Sequence, residues 1–112
     1  MRLRARRQLR HGAATARSAF LRVAAVVAEV TGVPLSTVAG NCGPGTMRRR
    51  EVRFARQAAV YLTVTALDVR MGALARALGR PRIRVRHAVQ AAEDAREEKA
   101  VDEIYARLEA ML

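Results

Sequence analysis

The sequence predicts an all-α domain: a bundle of five to six helices built around a helix-turn-helix. Three observations carry this. Apolar residues make up 51% of the chain but aromatics only 4%, with alanine abundant, which suits closely packed helices better than sheets rich in β-branched and aromatic pairs. Apolar positions recur at helical spacing in several separate stretches, the period of an amphipathic helix. Glycine and proline fall where those stretches end, as expected of turns between short helices. A length of 112 residues supplies one core and not two, so residues 13 to 112 are read as one domain behind a basic arm at 1 to 12.

The arm carries Arg2, Arg4, Arg6, Arg7 and Arg10 without apolar periodicity, and such a segment is expected to stay mobile until it meets a partner. From about Thr15 to Val30, the residues Phe20, Val23, Val27 and Val30 share a helical face, and Gly32 then Pro34 close the segment. The stretch PLSTVAG allows one short helical turn, and NCGPGT is a loop. A second long helix is expected over about 47 to 66, with Val52, Ala55, Ala59 and Leu62 on one face. Asp68 is the expected N-cap of a third helix, whose Met71, Leu74, Ala75 and Leu78 fall at i, i+3, i+4 and i+7 before Gly79 stops it. Pro81 suits the first turn of a fourth helix, where its missing N–H has no partner to lose, and that helix runs to about Ala95. After REEK, the residues Val101, Ile104, Tyr105, Leu108 and Leu112 give a last amphipathic helix, packed on the core or on a second copy.

Charge narrows the function. The net charge is +11 and the isoelectric point about 11.6, a balance that points to a polyanion or an anionic surface as partner. Residues 1 to 90 hold 18 arginines against Glu29, Glu51 and Asp68, whereas residues 93 to 109 hold seven acids. The acidic end is therefore expected to face away from the polyanion. The lone Cys42 forms no internal disulfide, so a reducing cytoplasm is expected, with the protein on the nucleoid. The run AFLRVAAVVAEV follows a basic start as in a targeting segment. Arg22 and Glu29 interrupt it, however, and it is far short of a membrane span, so neither import nor membrane insertion is expected.

The helix-turn-helix is placed at about 69 to 95. Ala75 sits four before Gly79, where two helices cross too closely for a larger side chain, and Leu74, Leu78, Val85 and Ala88 supply the flanking contacts. On the fourth helix Val85, Ala88, Val89 and Ala92 point inward. Opposite them lie Arg82, Ile83, Arg86, His87 and Gln90, with Arg80 at the N-terminal corner. These are the expected base readers: Arg pairs bidentately with guanine, Gln with adenine, and an apolar side chain meets the thymine methyl. Arg84, nearer the core boundary, is assigned to phosphate. In RRREVRFAR, Arg49, Arg53 and Arg56 recur at i, i+4 and i+7 as a phosphate ridge. Arg48, Arg49 and Arg50, where the loop meets the helix, are placed to enter a narrow minor groove.

These stretches resemble a known family. The run from VVAEVTGVPLSTVAG through RRREVRFARQAAVYL and GALARALGRPRIRVRHAV to the chain end, about residues 23 to 112, is similar to the C-terminal DNA-binding domain of the bacterial replication initiator DnaA. Arg56, Gln57, Ala59 and Leu62 match its basic-loop helix, and Gly79, Arg80, Val85, His87 and Ala88 match its signature. Pro81, Arg82, Ile83 and Arg84 stand where the family carries the Asp, His and two Thr that read bases. The resemblance implies a Trp-repressor-type bundle with its scaffold kept and its reading residues changed.

Other chemistries find no support. From Gly40 to Gly45 the chain imitates a phosphate-binding loop, but Thr46 replaces the required Lys and Met47 the required hydroxyl. His11, His87 and Cys42 do not supply a zinc site. No catalytic grouping stands out, so the expectation is a protein that is not an enzyme, with no cofactor and no small-molecule substrate. The expected function is sequence-specific binding of double-stranded DNA, as a regulator of transcription or of replication initiation. The alternatives are a non-specific nucleic-acid packaging protein and an interaction module for a protein or membrane surface. A homodimer or protein partner through the last helix belongs to the same set of expectations.

Overall fold

Two long helices form the frame, because each carries an unbroken apolar stripe of small side chains that lets the backbones approach. The structure, a computed structural model, describes residues 13–40 and 49–112. The arm and the loop at 41 to 48, which hold His11, Cys42, Thr46, Met47 and Arg48, lie outside the described residues. Among the described residues there are six helices and no strand: α1 (Ala13–Thr31), α2 (Leu35–Ala39), α3 (Arg49–Thr65), α4 (Met71–Leu78), α5 (Arg82–Ala95) and α6 (Lys99–Ala110). The all-α expectation holds.

On α1 the residues Ala16, Phe20, Val23, Ala24 and Val27 are buried, at the spacing that puts them on one face. They meet α3, where Val52, Ala55, Ala59 and Leu62 are buried, and α1 also packs against α4. Gly32 ends α1 in the left-handed region, φ +78°, and its N–H donates to Ala28 O at 2.9 Å. The final helix packs on its own core, with Tyr105 and Leu108 fully buried.

Two helix starts differ from expectation. Asp68 does not cap α4: it has φ +56°, because the chain must reverse between α3 and α4, and an N-cap needs extended backbone. Arg70 occupies the cap position with no side-chain hydrogen bond. Pro81 lies one residue earlier than expected, in the N-cap position of α5 with ψ 142°, where its missing N–H is again harmless.

The bend between α4 and α5 is fixed by Gly79. Its φ of +63° and ψ of 36° are left-handed, a conformation glycine adopts without steric cost. The Gly79 N–H donates to Arg76 O at 3.2 Å and the Arg80 N–H to Ala75 O at 2.9 Å, the paired bonds of a Schellman motif. Ala75, Leu74 and Val85 are buried beside the bend, as a tight helix-turn-helix crossing requires.

Candidate nucleic-acid interface

The bend sets α5 beside α3, and the two helices enclose a groove of about 660 Å³. Arg49, Arg53 and Arg56 of α3 form one wall, while Arg80, Arg84 and His87 form the other. Among the described residues no carboxylate lines it. Val85, Val89 and Ala92 turn α5's inner side into the core, which leaves its outer side to solvent: Arg82, Arg86 and Gln90 are exposed and Ile83 is 50% exposed. Part of each sequence-predicted set thus lies on adjoining surfaces: Arg49, Arg53, Arg56 and Arg84 in a cationic groove, and Arg82, Ile83, Arg86 and Gln90 on an exposed crest.

Not every residue sits where the sequence suggested. Arg80 and His87, expected among the base readers, line the groove rather than the crest. Arg56 is half-buried and its Nε donates to Thr37 O at 2.8 Å, so it ties α3 to α2 instead of standing free on the phosphate ridge. Arg50 lines a second, more apolar groove of about 420 Å³ with Phe54, Val101, Ile104 and Arg107. One residue is 100° of helix, and that rotation takes Arg50 off the wall that Arg49 and Arg53 share. Arg48 lies outside the described residues. Gln90 Nε2 donates to Asp94 Oδ1 at 3.0 Å, so part of its amide is already engaged.

The acidic end is organised internally by Arg96, which the sequence reading missed. Its guanidinium donates to Glu109 (2.8 and 3.2 Å), Asp102 (2.6 Å) and the Tyr61 hydroxyl (3.4 Å). It also lies 5.3 Å from the Tyr105 ring centroid and 5.9 Å from that of Tyr61, within cation–π range. Glu109 above all holds its pKa above the ordinary arginine value, against the opposing effect of burial. Spacings of six and thirteen residues follow no helical period, so no local signal marked these partners. By contrast, among the described residues no carboxylate pairs with Arg49, Arg53, Arg80, Arg82, Arg84 or Arg86.

No family model, curated protein or solved structure matches the chain. Its surface chemistry rests on its own residues. Among the described residues no group of His, Cys, Asp or Glu is placed to hold a metal ion, and no helix is long and apolar enough to cross a membrane.

Proposed function

We propose that this chain binds double-stranded DNA selectively, with α5 entering the major groove and the α3 wall gripping the adjoining phosphates, as a regulator of transcription or of replication initiation. One observation carries the reading: an exposed helix crest bearing Arg82, Ile83 and Arg86 adjoins an arginine-walled groove that, among the described residues, holds no carboxylate. Phosphate contacts fix position and base-edge contacts supply sequence information, and the two surfaces divide in that way. Arg82 and Arg86 suit guanine, and Ile83 suits a thymine methyl. The resemblance of residues 23 to 112 to the initiator's DNA-binding domain supports the same reading, with a changed recognition sequence.

Selection from random duplexes tests it. The expected outcome is an enriched sequence bound at least ~10³-fold more tightly than bulk DNA, the lower end for specific proteins. Equal binding of all duplexes would leave a non-specific packaging protein instead.

A further inference from the structure

The floor of the α3–α5 groove is not used by the DNA reading. Between the arginine walls it is apolar: Leu78, Ala88 and Ala91 are part-exposed there, above Val52, Val60 and Val85, which belong to the core. A duplex presents its phosphates to such a groove and meets the charged walls first, which leaves the part-exposed apolar strip between them without a partner. The α3 wall runs from Arg49 to Val60, roughly 16 Å at 1.5 Å per residue, or about three helical turns.

We infer that the groove also receives an acidic amphipathic helix of a partner protein, which competes with DNA for the same arginines. Apolar residues of the incoming helix at i, i+3, i+4 and i+7 would lie along the floor, the usual geometry of a helix in a groove. Its flanking carboxylates would pair with Arg49 and Arg53 on one wall and Arg80 and Arg84 on the other, bidentate geometry being available to each. Charge complementarity selects the acid: among the described residues the walls carry five guanidinium groups and no carboxylate. The chain's own acidic end does not fit this role. Its α6 spends Tyr105 and Leu108 on the core, and Asp102 and Glu109 are held by Arg96. The competition with DNA rests on the reading given above; the docking itself does not.

The test uses the full chain and two fluorescent 18-residue peptides of identical composition, one with leucine at i, i+3, i+4 and i+7 among glutamates, one scrambled so that no apolar face forms. The ordered peptide is expected to bind the free protein at least ~10-fold more tightly than its isomer at 150 mM salt, about 1.4 kcal/mol of apolar contact. It should also displace a bound duplex in proportion to its occupancy. Ala91→Gln places a polar group on the half-exposed floor and is expected to remove most of the difference between the peptides, with duplex affinity unchanged. Equal binding of the two peptides, no effect of Ala91→Gln, or peptide binding that leaves the duplex in place would overturn the inference. If the protein bound no duplex at all, the DNA reading would fall, while the peptide titration would still decide the docking.

Discussion

Replacing Arg53 by Ala should remove one of the proposed phosphate contacts without touching the core. Arg53 is exposed on α3, faces the groove and has no ion-pair partner among the described residues, so the substitution should leave the thermal midpoint unmoved. The groove offers four guanidinium groups clear of protein carboxylates, Arg49, Arg53, Arg80 and Arg84, since Arg56 is tied to Thr37 O. Each phosphate neutralised contributes about −0.9 to the slope of log K against log salt, so the four account for about −3.6 and the variant for about −2.7. Any contribution from the arginine arm is common to both proteins, which makes the difference of about 0.9 the quantity to read. A hydrogen bond to a charged group contributes about 1.5 to 3 kcal/mol, so affinity should drop roughly tenfold to a hundredfold. Fluorescence anisotropy from 50 to 250 mM KCl, on a selected duplex and a scrambled one, measures both. The loss should be the same on the two duplexes. An unchanged slope, or a loss confined to the selected sequence, would refute the assignment of Arg53 to phosphate.

Four further outcomes are expected. Arg82→Ala or Ile83→Ala should cost about 1 to 3 kcal/mol on the selected duplex and far less on a scrambled one, as competition binding would show. Gly79→Ala should lower stability to urea by about 1 to 2 kcal/mol, from backbone strain at φ +63° alone, because among the described residues no atom beyond its chain neighbours lies within 4 Å of the added Cβ. Burial, with the neighbouring Tyr61 adding to it, pushes the Tyr105 phenol up to about 12. The folded state therefore keeps this proton where the unfolded chain loses it: the contribution is complete below pH 10, the ordinary value, and lost as pH rises toward 12, about 2 to 3 kcal/mol in all. Tyr105→Phe should flatten that alkaline limb in pH-dependent unfolding, and at neutral pH it should be neutral or stabilising by about 1 kcal/mol, since the buried hydroxyl has no hydrogen-bond partner among the described residues. Arg96→Ala should destabilise by about 1 to 3 kcal/mol, discounted for its half-exposed carboxylate partners, with calorimetry as the measure.

The helices were legible because their apolar residues keep a period that is local in sequence: Val23 and Val27 on α1, and Leu74 with Ala75 on α4, needed no tertiary knowledge. Gly79 was legible for the same reason, since a single residue type marks a left-handed stop. Arg56 was not, because nothing local distinguishes an arginine that bonds a carbonyl 19 residues away from one that stands in solvent. Asp68 misled because the residue type that caps helices also tolerates positive φ, and the tight reversal after α3 selected the second property. The groove escaped notice as a groove, since it exists only once α3 and α5 lie side by side.

The charges of α5 run against its own dipole at both ends. Arg82 and Arg84 stand in the first turn, at the positive pole, and Glu93 and Asp94 near the last, at the negative pole; no acid occupies the first turn and no base the last. Charges so placed cost roughly 0.3 to 1 kcal/mol each relative to the reverse order, an expense that stability alone would not retain. Its electrostatic effect is to add side-chain charge to the helix's own positive end, where backbone N–H groups already favour phosphate, and to make the far end repel it. A polyanion approaching α5 therefore meets an attractive N-terminal half and a repulsive C-terminal half within about 20 Å, the length of a helix of this size. In the proposed complex such a gradient would orient α5 with the Gly79 bend toward the phosphates before any base is touched, with Arg82 and Ile83 at the leading edge.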